Sequence, residues 1–193
     1  TWRGDERVFM HPLKMKTYLL IISGLLLLAV LVRVISFVGF IGSDDLNYNR
    51  NAYDIIQGTF TPQLDHQRTR LGLFLPVAAA FEIFGVREWS SILFPLWCSL
   101  VTTVVLVSFG IHFFGKWIGI MAGLLYIFLP IEIFNATMLL ADLPAATLVV
   151  LSGSLLYMGS RKSGHFDLSR SNDATTATIK INGGLLLGGF MLG

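Results

Sequence analysis

The chain has 193 residues, of which 54% are hydrophobic and 13% charged, and its formal net charge is +2. A soluble domain usually carries about 25% charged residues, so the composition argues against a protein that faces water on all sides. The small net charge gives no reason to expect nucleic acid as a partner. Long uncharged segments in such a chain predict membrane-spanning helices, because a bilayer core about 30 Å thick takes about 20 helical residues.

The sequence predicts an all-α, polytopic bundle of four membrane-spanning helices. These are residues 17–41, 90–114, 117–134 and 143–160, and together residues 17–160 form the predicted transmembrane bundle. Residues 1–16 and 161–180 are polar and basic, which predicts a cytoplasmic N-terminal segment and a cytoplasmic linker. The apolar residues 181–193 predict the start of a further span, which the end of the sequence cuts short.

The apolar segment 71–85 needs a separate assignment, because it has only 15 residues and contains Pro76 and Glu82. Lys and Arg favour the cytoplasmic side of a membrane. Two basic clusters, residues 3–16 and 161–180, lie together inside only if an even number of spans separates them. Segment 71–85 is therefore predicted to be an interfacial or re-entrant helix on the outer face. The loop 42–89 and the turn 135–142 then face the same, outer side.

The loop 42–89 carries much of the charge of the chain. It holds six of the twelve acidic residues, together with the arginines Arg50, Arg68, Arg70 and Arg87. Arginines on the outer side run against the positive-inside bias. A specific anionic partner at the outer face explains them, and so does pairing with the acids of the same loop.

A short amphipathic helix is predicted in this loop, since Tyr48, Ala52, Ile55 and Ile56 lie on one helical face. Asp44 and Asp45 stand at its start, where carboxylates complement the helix dipole. Asp142 begins the fourth span with Pro144 two residues later, an ordinary N-terminal capping pattern. A functional interpretation competes with these structural ones, because acids near membrane depth on one side commonly serve ion or substrate chemistry.

The order of these motifs resembles the GT-C membrane glycosyltransferases. The motifs are, in chain order, residues 44–48 (DDLNY) with Ala52, residues 66–76 (HQRTRLGLFLP), Phe84-Gly85, Gly115-Lys116, Pro130 and residues 140–144 (LADLP). The pattern is most similar to the dolichyl-phosphate-mannose protein mannosyltransferases and the bacterial aminoarabinose and related lipid-sugar transferases. The resemblance covers roughly residues 17–160.

The resemblance implies transfer of a sugar from a polyprenyl or dolichyl phosphate to an acceptor on the outer side of the membrane, with inversion. It gives Asp44 the role of the carboxylate that engages the acceptor, and it matches Asp142 to the acid of the second outer loop. Asp45 stands where the family more often has Glu. Between the loop helix and residue 71 the chain departs from its relatives, so the resemblance assigns no metal ligand and leaves a divalent metal ion open.

The residue types suit this chemistry. A polyprenyl phosphate is a good leaving group that needs charge neutralisation, which arginine supplies through forked hydrogen bonds. The acceptor hydroxyl or amine needs positioning and a base, and one carboxylate supplies both. The candidate catalytic residues are Asp44, Asp45 and Asp142. The candidate substrate-binding residues are Arg68, Arg70, Tyr48, Arg50 and His66.

The expected partners are a lipid-phosphate-linked sugar donor, a lipid, glycan or protein acceptor, and membrane lipid. The expected location is the plasma or inner membrane, with the active site on the outer face. A membrane transporter and a non-catalytic assembly subunit are the alternatives. A transporter needs polar or broken spans at mid-depth, and Arg33 and Glu132 lie near the ends of the predicted spans.

Overall fold

The structure is a computed structural model that describes residues 15–42, 44–62 and 68–162. These residues form helices and connecting segments, with no strand among them. The helices are α1 (Met15–Ile35), α2 (Asp44–Ile56), α3 (Leu71–Phe84), α4 (Glu88–Ser91), α5 (Leu93–Phe114), α6 (Lys116–Phe128), α7 (Pro130–Thr137) and α8 (Asp142–Lys162). The all-α prediction is confirmed for these ranges. Most of the predicted cytoplasmic segments 1–16 and 161–180, and all of the predicted further span 181–193, lie outside them.

Two of the described helices, α1 and α5, are long and apolar enough to cross a membrane. Helices α6 and α7 together are also long and apolar enough to cross a membrane, but the chain bends by 60° between them. Helix α3 is a shorter apolar helix, as is the described part of α8. The lengths therefore indicate membrane association.

The prediction of one continuous helix over residues 117–134 was wrong. Pro130 lacks a backbone N–H and its ring clashes with the preceding helical turn. Leu129 before it is forced into an extended conformation, with φ −68° and ψ 117°. The chain therefore ends α6 at Phe128 and starts α7 at Pro130, in the position where proline is best tolerated.

The other predicted spans are helical over slightly different residues. Helix α1 ends at Ile35, and residues 36–41 continue without helical structure. Gly39 in this segment has φ +88°, and a Cβ there would lie 2.4 Å from an oxygen of Glu88. The positive φ favours glycine at this position, whereas the exposed Glu88 side chain is free to shift. Helix α5 begins at Leu93, because Ser90 and Ser91 belong to the separate turn of α4.

The predicted amphipathic helix α2 and the predicted short helix α3 are both present and pack together. Tyr48 and Ala52 are buried, and Ile55 and Ile56 pack against the same cluster, as their spacing predicts. The α3 side of this cluster consists of Leu73, Phe74, Val77, Ala78 and Phe81. Leu139 and Ala141 join from the turn between α7 and α8. This core fixes α2, α3 and the α7–α8 turn against one another.

Helices α5 and α6 approach closely through small residues. A Cβ on Gly110 would lie 2.6 Å from the Cα of Gly119, and a Cβ on Gly123 would lie 2.5 Å from the side chain of Val107. Such contacts replace side-chain packing by direct backbone contact, as in many helix pairs in membranes. Leu25 and Ala29 bring α1 against the same α5–α6 pair.

Candidate functional site

Tyr48 is at the centre of the candidate site. Its side chain is 1% exposed and lies in the core formed by α2, α3 and the α7–α8 turn. Residues from three parts of the chain, around positions 48, 73 and 140, therefore meet at this ring. The amphipathic pattern of α2 explains why the ring is buried, since Tyr48 is the first residue on the apolar face of that helix.

Arg70, the residue just before α3, contacts Tyr48. The Arg70 Nη1 group donates a hydrogen bond to the Tyr48 hydroxyl, and the guanidinium carbon lies 5.8 Å from the centroid of the ring. Because the hydroxyl accepts this bond, its own proton remains available for a neighbouring acceptor. Arg70 is half-buried, so its charge is held at the site by the fold.

Asp44 and Asp142 lie close enough to influence the same hydroxyl. Burial raises the pKa of Tyr48, Arg70 opposes this rise, and the negative charges of Asp44 and Asp142 add to it. Tyr48 therefore keeps its hydroxyl proton at neutral pH. The structure thus joins Tyr48 and Arg70 directly and places the charges of Asp44 and Asp142 within electrostatic range of them; these four residues are called the Tyr48 group. Asp142 is exposed and Asp44 is partly exposed.

Asp45 points away from this group, into the loop before α2. It is 1% exposed, and one carboxylate oxygen accepts hydrogen bonds from the backbone N–H groups of Ile41 (3.1 Å) and Gly42 (3.5 Å). The other oxygen accepts from Leu46 N–H at 2.8 Å. These bonds set the angle at which the chain enters α2. The predicted catalytic role of Asp45 stays a prediction, and its described contacts are structural.

The other three predicted substrate-binding residues are Arg68, Arg50 and His66. Arg68 donates to the carbonyl oxygen (3.0 Å) and the hydroxyl (3.1 Å) of Thr61, so its guanidinium ties its own loop together. Arg50 is exposed on α2. His66 lies outside the described residues.

An apolar groove of about 240 Å³ runs beside the loop that Asp45 holds. Its lining comes from the segment after α1 and from α7, and consists of Ser36, Val38, Gly39, Ile41, Pro130, Ile133, Phe134, Thr137 and Met138. Ile41 belongs both to this groove and to the Asp45 hydrogen bonds. Ile41 therefore connects the groove to the segment that precedes α2.

A second polar cluster was missed by the sequence reasoning. Arg33 is 1% exposed and donates from Nε to Ser99 Oγ at 2.9 Å and from Nη1 to the Ala29 carbonyl at 3.2 Å. Tyr126 and Glu132 interact electrostatically with its guanidinium. The signal was present in the sequence, because Leu25, Ala29 and Arg33 share one face of α1. A charge on the packed face of a span has to find partners inside the protein.

Among the residues that the structure describes, no group of three or more His, Cys, Asp or Glu side chains is arranged to hold a metal ion. The Tyr48 group combines an arginine, a protonated phenol and two carboxylates beside an apolar groove. Such a set can bind an anionic headgroup, orient a hydroxyl or amine, and accept its proton.

The described fold and site define an all-helical protein with two helices suited to crossing a membrane and a mixed-charge polar site beside them. Comparisons with protein-family models, with curated proteins and with solved structures find no match for this chain.

Proposed function

We propose that the protein is a membrane glycosyltransferase that moves a sugar from a polyprenyl-phosphate carrier to an acceptor on the outer side of the membrane. The observation that carries this proposal is the hydrogen bond from Arg70 to the Tyr48 hydroxyl, with the charges of Asp44 and Asp142 within electrostatic range of that hydroxyl. These residues come from distant parts of the chain, and the resemblance of the sequence motifs to GT-C glycosyltransferases selects three of the same positions: 44, 48 and 142.

In this proposal Asp44 is the general base. Its carboxylate accepts the proton of the acceptor while the acceptor oxygen or nitrogen attacks the anomeric carbon of the sugar. The bond from that carbon to the phosphate oxygen breaks in the same displacement, and polyprenyl phosphate leaves. A single displacement inverts the anomeric centre. The phosphate leaves as a stable anion, so no second carboxyl group has to protonate it, unlike in a glycosidase.

Arg70 binds the phosphate of the donor. A guanidinium offers forked hydrogen bonds that suit phosphate oxygens, and the bond to Tyr48 holds the Arg70 side chain in place. Tyr48 presents its proton to the same headgroup or to the sugar. Asp142 holds the acceptor from the start of α8. The resemblance leaves a divalent metal ion open, and these roles do not require one.

The groove between the segment after α1 and α7 suits an isoprenoid chain, since its lining is almost wholly apolar. Because Ile41 lines the groove and lies just before α2, a lipid in the groove is proposed to place its phosphate toward the polar site. In the membrane, α1, α5, the α6–α7 pair and α8 are the four spans, and α2 and α3 lie at the outer face. This arrangement keeps both basic clusters in the cytoplasm.

A transporter is the second candidate function, and two observations favour it. The α6–α7 pair is broken at Pro130 with a bend of 60°, and Arg33 is buried on the packed face of α1. Transporters use discontinuous helices and buried charges to bind their cargo. The two functions differ in what happens to a lipid-linked sugar.

The test is to supply the full-length protein, reconstituted in vesicles, with polyprenyl-phosphate sugars that carry a radiolabelled sugar. A glycosyltransferase separates the label from the lipid and leaves unlabelled polyprenyl phosphate. A transporter moves solute or lipid across the bilayer and leaves the donor intact. Intact donor with every sugar and acceptor class tried, alongside measurable transport, would contradict the glycosyltransferase proposal.

A further inference from the structure

The Arg33 cluster, defined as Arg33, Ser99, Tyr126 and Glu132, joins helices that are far apart in sequence. Arg33 lies on α1, Ser99 on α5, Tyr126 on α6 and Glu132 in the first turn of α7. The cluster therefore spans the break between α6 and α7 and ties both sides of it to α1. Ser99 is fully buried and Arg33 is 1% exposed.

Three atoms of this cluster are buried without a hydrogen-bond partner among the described protein groups. They are Arg33 Nη2, the Tyr126 hydroxyl and Glu132 Oε2. Glu132, Ser99 and Thr102 are close enough to the Tyr126 hydroxyl to influence it, yet none meets it with normal hydrogen-bond geometry. Arg33 and Glu132 attract each other electrostatically without direct contact through these two atoms. Buried polar atoms are rarely left in this condition, because their desolvation is costly.

The donors and acceptors of these three atoms indicate which chemical class of ligand suits the site. Arg33 Nη2 offers donors, Glu132 Oε2 is an acceptor, and the Tyr126 hydroxyl is both. An anion is repelled by Glu132 and a cation by Arg33. A small neutral molecule that both donates and accepts satisfies all three atoms, and a water molecule does so with about three hydrogen bonds, the usual number for buried water.

We propose that the Arg33 cluster is a binding site for an internal water molecule that bridges Arg33, Tyr126 and Glu132. The water accepts a hydrogen bond from Arg33 Nη2 and donates one to Glu132 Oε2, with Tyr126 as the third partner. It completes an indirect ion pair between α1 and the first turn of α7. The bend at Pro130 is thereby fixed, and with it the direction of the chain toward the α7–α8 turn.

This site is separate from the Tyr48 group, and its test needs no enzymatic activity. Hydroxyl radicals produced by a short X-ray pulse modify aromatic side chains next to bound water, even inside a membrane protein. The experiment uses the full-length protein in lipid nanodiscs, with H₂¹⁸O as the probe for exchange of the bound water. Tyr53, which is 44% exposed on α2, serves as the internal reference for water-exposed tyrosine.

The expected result is modification of Tyr126 in the wild-type protein, with ¹⁸O appearing after exchange. Arg33→Met and Glu132→Leu each remove a partner of the water, so both are expected to lose this modification. Glu132→Gln keeps an acceptor oxygen and is expected to retain it. Thr103→Val is the matched control, because that buried hydroxyl bonds the carbonyl of Ser99 in its own helix at 2.9 Å.

An unmodified Tyr126 in the wild-type protein would overturn the proposal, and this result depends on no variant. Equal modification in the wild type, Arg33→Met and Glu132→Leu would overturn it as well, because bulk water would then reach the ring. Elution of each variant from a sizing column at the wild-type position shows that its fold is intact. If Arg33→Met does not fold, Glu132→Leu and Glu132→Gln decide the outcome.

Discussion

Two neighbouring arginines, Arg68 and Arg70, are equivalent in the sequence but differ in their contacts. Arg68 is bound to Thr61 in its own loop, whereas Arg70 reaches the buried Tyr48 hydroxyl on another helix. Long side chains in water gain little from a single surface contact. An arginine held against a buried ring keeps its charge in a fixed position. Of the two arginines, Arg70 is therefore the better candidate for binding a donor phosphate.

Replacing Arg70 by alanine is expected to raise the apparent binding constant of the lipid-phosphate donor about 10- to 100-fold, since a hydrogen bond to a charged group contributes roughly 1.5–3 kcal/mol. Arg70→Lys should restore part of the affinity, because lysine keeps the charge but lacks the fork. Arg68→Ala is the matched control and should leave the donor constant nearly unchanged. Donor titrations of the three variants test this expectation. Equal effects of the two alanine variants would contradict the assignment of phosphate binding to Arg70.

Replacing Asp45 by alanine is expected to destabilise the protein by about 1.5–3 kcal/mol, because buried backbone N–H groups of the loop before α2 lose a charged acceptor. Asp45→Asn keeps an acceptor oxygen and should lose less. Thermal unfolding measured by sizing-column fluorescence gives the comparison. Asp54→Ala, on the same helix but partly exposed, is the control. An unchanged Tm for Asp45→Ala would show that its hydrogen bonds to the loop carry little energy.

At the scale of helices, the α5–α6 pair depends on glycine. A Cβ at position 119 would lie 2.5 Å from the backbone nitrogen of Ile111, a contact that no rotamer change can relieve. Helix α8 has a glycine in a different environment, since a Cβ at Gly153 meets nothing within 4 Å. These two positions separate the packing role of glycine from its effect on helix propensity.

Gly119→Ala is expected to lower the free energy of unfolding by about 1–3 kcal/mol, the usual cost of overpacking. Gly153→Ala should leave stability unchanged or raise it by up to about 1 kcal/mol, because alanine favours the helix. Thermal unfolding of the two variants side by side tests this. Similar losses in both would mean that the close contact of α5 and α6 is not a source of stability.

The parts of the fold that the sequence predicts correctly are those that depend on the local spacing of apolar residues. The apolar face of α2 repeats at helical spacing, and that is enough to predict which side of α2 is buried. The break at Pro130 was readable from the residue itself, but the length of the apolar run favoured a single span. The Tyr48–Arg70 contact depends on the path of the chain between α2 and α3, which no periodicity encodes. The inward direction of Arg33 follows from the helical spacing of Leu25, Ala29 and Arg33, whereas its neighbours Tyr126 and Glu132 depend on the bend at Pro130.

At the scale of the whole molecule, the proposed site requires α2 and the α7–α8 turn on one side of the membrane. Single cysteines in a Cys98→Ser background test this. Asn47→Cys and Leu140→Cys are both expected to react with a membrane-impermeant maleimide on intact cells. Lys116→Cys, in the turn between α5 and α6, should react only after permeabilisation. Reaction of only one of the first two would place α3 across the membrane and separate Asp44 from Asp142.

The most direct test of the proposed function is the turnover of a radiolabelled polyprenyl-phosphate sugar by the full-length protein and its Asp44→Asn variant. Loss of a general base is expected to lower turnover about 10²- to 10⁴-fold, with expression and donor binding retained. Asp54→Asn, on the same helix, should keep wild-type turnover. Near-normal turnover by Asp44→Asn would contradict the account and leave Asp44 as a partner of the α2 helix dipole.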